Sequence, residues 1–386
     1  MKEKYNVKVM IFCGLLMLIT AASDSLRGIF LPAFRSTFSL SEPQASRIIM
    51  ISYVGNLIFL SFGGRLSDRL PRKLFIGGLL VIWAAALAVY TFTENYILLL
   101  ICMTVSMGGS TMLSTSVNML TPLMFASPAM LVSIFNFVQG VGITASQNII
   151  GRFADSLEAW HFANAGLLVI VVICFILLMT MKLPDPEKSS RKGRSSAIIR
   201  NPASIFLILI CGCYFIAEHG LMNWLTSYGS EHLGYSVQDS AFYLSLFFGG
   251  ITVGRLIFAP FIEKIGVFRS LLIWSSAGTV IYIAGMALGK SGMVLFGLSG
   301  LALSIVYPML VMLIGRFFDT SEAGSATGLI LSIATFFDIG FNALFGDLVK
   351  SAGYGRAMIV LPVSAALFCA SLFALKFLVR KSKDIA

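Results

Sequence analysis

Apolar runs long enough to cross a lipid bilayer recur along this chain from end to end. A helical span needs about 17–25 predominantly apolar residues. Such runs fall, to within a few residues, at about 8–30, 44–64, 74–92, 96–120, 127–150, 163–182, 202–225, 240–262, 268–288, 291–315, 324–346 and 356–379. Inside hydrocarbon no water meets the backbone N–H and C=O groups, so a span must be a helix or part of a closed barrel. These runs are continuous rather than alternating, which argues against a barrel. The expectation is an all-α membrane protein with about 12 transmembrane helices. Composition agrees: 57% of residues are hydrophobic and 12% charged, against about 25% charged in soluble domains.

The chain repeats itself. A basic turn, Gly63-Gly64-Arg65-Leu66-Ser67-Asp68-Arg69-Leu70-Pro71-Arg72-Lys73, has a diverged copy at Ala259-Pro260-Phe261-Ile262-Glu263-Lys264-Ile265-Gly266-Val267-Phe268-Arg269. Gly55 maps on Gly250, Asp68 on Glu263, Arg69 on Lys264 and Gly151 on Gly346, each pair 195 residues apart. A duplicated helical unit is how many solute carriers frame a central site. Residues 183–200 hold Pro184, Pro186, four serines and several basic residues, the composition of a solvated linker. The expected organisation is an N-terminal six-helix bundle over 1–182, a cytoplasmic linker over 183–200 and a C-terminal six-helix bundle over 201–386. The remaining loops are short, so any chemistry belongs to side chains within the helices.

Net charge is +10, yet the distribution points away from nucleic acid. About 20 of the 28 Lys and Arg residues lie at the N-terminal side and in every second loop. Six (Arg35, Arg47, Arg152, Lys290, Lys350, Arg356) lie on the other side, and Arg27 and Arg255 lie within spans. The positive-inside rule then puts both termini in the cytoplasm of a multi-pass plasma-membrane protein. The N-terminal run continues past Asp24 and Arg27 to Phe34, too long for a cleaved signal, and reads as a retained first span. The six cysteines all fall in apolar runs and read as small hydrophobes. No Cys-x-x-Cys or His cluster points to a metal.

The basic turn resembles the loop between helices two and three of the major facilitator superfamily. Gly64, Asp68, Arg69, Arg72 and Lys73 match that pattern, with Pro71 where the family has Gly. The resemblance covers essentially the full chain and implies two six-helix bundles, with Gly64, Asp68, Arg69 and Arg72 forming a gating loop. Within the superfamily the chain is most similar to the fucose-permease-like group of sugar–proton symporters. The matching stretches are Leu31-Pro32-Ala33-Phe34 with Phe38-Ser39-Leu40-Ser41 and Gln44-Ala45, then Tyr214-Phe215-Ile216-Ala217-Glu218 with Trp224-Leu225, and Gly254-Arg255 with Tyr307-Pro308. In that group the proton-carrying carboxylate of helix one falls where this chain has Gly28, and the helix-four Glu falls near Leu113.

Charge at bilayer depth is expensive, so each intramembrane ionisable group is a functional candidate. Asp24 and Arg27, three apart, share a helix face. Two readings are open: a self-neutralising pair, or a titrating Asp24 tuned by an Arg27 that also grips ligand. Glu218 stands beside His219, the 195-offset counterpart of Asp24, and reads as a substrate or coupling residue or as a partner of Arg255. Arg255 itself divides evenly between a structural ion pair and a ligand contact. Asp338 and Asn342 share a face of helix eleven, where Asp338 is either a second proton site or an interhelical bond. Asn118, Asn136, Gln139, Asn223 and Asn342 offer the paired donors and acceptors that hydroxyl groups need, and Trp224 can cover an apolar sugar face. Proton-coupling candidates are therefore Asp24, Glu218 and Asp338.

The function expected is secondary active transport of a small polar solute, a sugar, coupled to protons by alternating access. Two alternatives keep the carrier and change the cargo: an organic anion held by Arg27 and Arg255, or a drug exported against a proton. No Walker motif is present, and no enzyme constellation stands at membrane depth. The carrier reading implies a monomer in a lipid bilayer with a small-molecule partner, and no cofactor beyond a proton.

Overall fold

The computed structural model describes residues 6–67, 70–125, 128–184, 201–318 and 323–381. Every regular element among them is helical. The first half runs α1 Val7–Ile29, short α2 Leu31–Phe38, α3 Glu42–Ser67, α4 Arg72–Tyr90, α5 Tyr96–Met124, α6 Pro128–Ile149 and α7 Leu157–Thr180. The second runs α8 Pro202–Glu231, α9 Val237–Ile265, α10 Val267–Ala287, α11 Met293–Leu303, α12 Val306–Arg316, α13 Ala323–Ala352, short α14 Tyr354–Ala357 and α15 Val360–Lys381. Eleven stretches among the described residues are long and apolar enough to cross a membrane. The 22 residues of α6 rise about 33 Å, enough for one more crossing.

The duplication read in the sequence is present in the helix starts. α1 and α8, α3 and α9, and α4 and α10 each begin 195 residues apart, at Val7/Pro202, Glu42/Val237 and Arg72/Val267. Even the caps match. Asn6 Oδ1 accepts from the Val9 N–H at 3.3 Å, and Asn201 Oδ1, its counterpart, accepts from the Ala203 N–H at 3.0 Å. An Asn cap satisfies one of the N–H groups that a helix start leaves open.

The helices gather into two compact units. The first comprises α1–α7 together with Ser236–Phe242; the second comprises α8 and the chain from Tyr243 onward. In the first unit α1 packs along α6, with α5 and α7 flanking it, and α3 lies along α5. In the second, α8 packs between α13 and α15, and α10 lies along α11. Lipid offers no hydrophobic drive between helices, so close backbone approach must supply the packing. Glycine provides it at matching places. A Cβ on Gly55 would stand 2.1 Å from the Thr104 carbonyl oxygen, and one on Gly250 would stand 2.3 Å from that of Gly297. At the other repeated crossing the glycine has changed partners. Gly142 on α6 faces Leu18 of α1, whereas in the second unit Phe337, at the position matching Gly142, fills the groove left by Gly212 of α8.

Two spans are broken where proline dictates. Pro32 offers no N–H to the Gly28 carbonyl, and the chain steps at Phe30 between α1 and α2. Pro308 offers none to Ser304, and the tenth expected span steps at Ser304–Ile305 between α11 and α12.

Candidate functional site

In the first unit the ionisable residues of α1 are tied to two neighbouring helices. Asp24 is partly exposed, and its Oδ1 accepts from the Ser110 hydroxyl of α5 at 2.6 Å. Arg27 is 3% exposed. Its Nε donates to the Asp24 backbone carbonyl at 3.0 Å, its Nη1 donates to Ser52 of α3, and its guanidinium carbon stands 5.0 Å from the centre of the Tyr53 ring. Ser52 in turn donates to the Ile49 carbonyl at 2.6 Å. A guanidinium carries several fixed donors, and here they span α1 and α3. One residue along, Ser25 and Ser146 share a hydrogen bond of 2.5 Å that links α1 to α6. The turn of α1 around residues 24–27 is thus the polar hub of this unit.

The corresponding turn of α8 is the polar hub of the second unit. His219 Nδ1 meets Asp338 Oδ2 of α13 at 2.8 Å, with Asp338 buried and His219 partly exposed. Phe215 stacks on the His219 ring at 5.2 Å. One turn along, Trp224 Nε1 donates to Asn342 Oδ1 at 2.9 Å, and Asn342 Nδ2 donates to the Asp338 carbonyl at 2.8 Å. Glu218 is hydrogen-bonded to the Tyr214 side chain one turn earlier on α8. Arg255 Nε donates to the Ser304 carbonyl at 3.4 Å, the one Pro308 leaves without a helical donor. Gly254 lets α9 come near enough, since a Cβ there would lie 2.4 Å from the Ser304 hydroxyl. Gly254, Arg255, Ser304 and Pro308 thus form one device that holds a broken helix.

The amides expected to bind solute are dispersed. Asn118 is exposed on α5, Asn136 and Gln139 are partly exposed on α6, and Asn223 is fully buried on α8. Trp224 and Asn342 are fully buried against each other, and the Trp224 ring lies 4.5 Å from that of Phe345. Of the gating loop, Gly64 lies in α3, while Asp68 and Arg69 are outside the described residues. Arg72 Nη1 donates to the Pro184 carbonyl at 3.0 Å and Lys73 Nζ to that of Met179 at 2.7 Å, so the start of α4 is strapped to the end of α7. The structure adds Ser52, Tyr53, Ser110 and Tyr90 around Asp24 and Arg27, residues that no motif distinguishes from the many Ser and Tyr of other spans.

Two bundles of repeated helices, each with its ionisable hub on its first long helix, match a known architecture. The family model described as Major Facilitator Superfamily matches residues 13–337. The chain belongs to the major facilitator superfamily. As a member it is a multi-pass membrane transporter rather than an enzyme. It is 23% identical to the hexuronate transporter of Bacillus subtilis (strain 168), over 98% of this chain and 96% of that protein. It is likewise 23% identical to the L-fucose-proton symporter of Escherichia coli (strain K12), over 81% and 80%. Its fold is similar to that of a D-xylose-proton symporter, with a TM-score of 0.78 at 14% identity, over 96% of this chain and 97% of that one. Gly28 and Leu113, at or near which the resemblance to the fucose-permease-like group implied carboxylates, are both buried.

Proposed function

We propose that this transporter moves a small polar solute of the sugar class across the plasma membrane in symport with protons. The observation that carries the proton coupling is the His219–Asp338 pair. A carboxylate buried at membrane depth is costly unless it is paired or protonated. Histidine is the side chain whose ordinary titration falls nearest neutrality. A proton arriving at this pair changes the bond between α8 and α13, which gives protonation a mechanical consequence. Asp24 supplies the counterpart in the first unit, bonded across helices to Ser110. The sugar class is supported by the similarity to L-fucose- and D-xylose-proton symporters and by the amide and hydroxyl groups along the helices.

The test is uptake into proteoliposomes of labelled neutral hexoses under an imposed inward proton gradient. Asp338→Asn and Asp24→Asn should lose accumulation to the level of protein-free vesicles while keeping solute exchange at equal pH. Full gradient-driven accumulation in both variants would overturn the symport reading.

A sugar acid is the second reading. The full-length similarity to a hexuronate transporter favours it, as does a guanidinium within each half, Arg27 on α1 and Arg255 on α9. Arginine's fork of donors suits a carboxylate. Uptake of hexuronates but not neutral hexoses by the same vesicles, abolished in Arg27→Gln, would select this reading over the first.

A further inference from the structure

Within the first unit, Asp24 and Arg27 of α1, Tyr90 of α4, Ser106 of α5 and Trp160 of α7 line a cavity of about 10 Å³. That volume holds about one water molecule and no sugar. Its walls carry polar atoms that the protein leaves unused. Arg27 Nη2, Tyr90 Oη and Trp160 Nε1 are buried, and none makes a hydrogen bond within the described residues. The three side chains are 3%, 1% and 2% exposed. Buried polar groups are almost always satisfied by protein or by ordered water. Three such atoms around one cavity therefore point to a built site for a small ligand.

The chemistry of the wall selects the ligand. Arg27 and Trp160 can only donate, Tyr90 and Ser106 can do either, and Asp24 accepts when ionised. An anion would satisfy the donors but would face the Asp24 carboxylate, and a cation would face the Arg27 guanidinium. A neutral molecule that both donates and accepts suits both, and at this size it is water. We propose that this cavity is the site of one ordered water, a fixed part of the N-terminal bundle, through which Asp24 exchanges its proton. The water donates to the Asp24 carboxylate and, after Asp24 takes up a proton, turns to accept from the new O–H. A fixed N–H donor cannot make that reversal. The exchange role rests on the symport reading above; the water site does not.

Radiolytic hydroxyl labelling of the purified full-length protein tests the site directly, because a bound water converts to hydroxyl radical beside buried side chains. Met103 and Met107, which also line the cavity, and Trp160 should be modified severalfold faster than Met222 and Trp224 of α8, which are comparably buried. With bulk solvent switched to H₂¹⁸O, the label at Met103 and Met107 should carry ¹⁸O after a delay set by exchange of the site. Tyr90→Phe, which keeps the ring and removes one hydrogen-bonding group, should lower labelling at Met103 and Met107 and shift the pH midpoint of uptake. Labelling of Met103, Met107 and Trp160 no faster than that of Met222 and Trp224 would overturn the site. Fast labelling alongside proton-driven uptake that survives Asp24→Asn would keep the water and remove its role in coupling.

Discussion

A single methyl group at residue 55 has nowhere to go. It would meet the Thr104 carbonyl oxygen at 2.1 Å, and one at residue 250 would meet that of Gly297 at 2.3 Å. In both cases the obstacle is backbone, which cannot rotate aside as a side chain can. Overpacking of this kind costs about 1–3 kcal/mol, occasionally more. Gly55→Ala and Gly250→Ala should each lower the thermal stability of the detergent-purified protein by several degrees. Gly14→Ala and Gly166→Ala, with nothing within 4 Å of the added carbon, should hold it or raise it slightly, because Ala favours a helix interior over Gly by about 0.5–1 kcal/mol. Equal melting of all four variants would refute close helix crossing as the reason for these glycines. Gly55 and Gly250 stood out in the sequence because both copies of the repeat kept them. Ser110, Tyr90 and Trp160 did not, since helical periodicity tells which residues share a face but not which helix that face meets. Asp24 and Arg27 were visible as charges in an apolar run, whereas their partners were ordinary hydroxyls and rings.

At the level of the helix, the break between α11 and α12 explains a side chain that the sequence left divided between two roles. Pro308 removes the N–H that would have bonded Ser304, and Arg255 Nε donates to that carbonyl from α9. Arg255 therefore has structural work at the break whatever else it touches. The idea makes a coupled prediction. In Pro308→Ala the helix can supply its own donor to Ser304, so Arg255→Gln should destabilise the Pro308→Ala protein less than it destabilises the parent. Groups that share a partner couple by about 0.5–3 kcal/mol in a double-mutant cycle, measured here by unfolding of the four proteins in detergent. Strict additivity would mean that Arg255 does not serve this carbonyl. The break was legible in principle from Pro308. An apolar run of 26 residues, Gly289–Ile314, reads as one uninterrupted span by hydropathy alone, because hydropathy takes no account of a missing N–H. The Trp224–Asn342 bond was hidden for a related reason: the sequence showed an aromatic and an amide suited to a sugar, while packing of α8 on α13 joins them to each other.

Over the whole molecule, duplication explains why so much of the fold was legible and why the two halves differ where they do. The 195-residue offset survives in helix starts and in the Asn6 and Asn201 caps, features set by backbone geometry and indifferent to cargo. It does not survive in the ionisable hubs. Asp24 of the first unit corresponds to His219 of the second, so one half presents a carboxylate beside an arginine and the other an imidazole bonded to a carboxylate borrowed from α13. Divergence at the hubs on a shared frame is what a carrier needs if its halves are to respond differently to one proton and one solute. The same duplication constrains topology. Two units with the same succession of crossings, each an even number, return the chain to the side where it started. By the positive-inside rule, the clustering of Lys and Arg in alternate loops predicts that this side is the cytoplasm. A fluorescent protein fused after the C-terminus should light up in intact cells, because it folds in the cytoplasm. Alkaline phosphatase fused after Lys290, in the turn between α10 and α11, should be active because it lies on the opposite face. A dark C-terminal fusion together with an inactive phosphatase would invert the orientation.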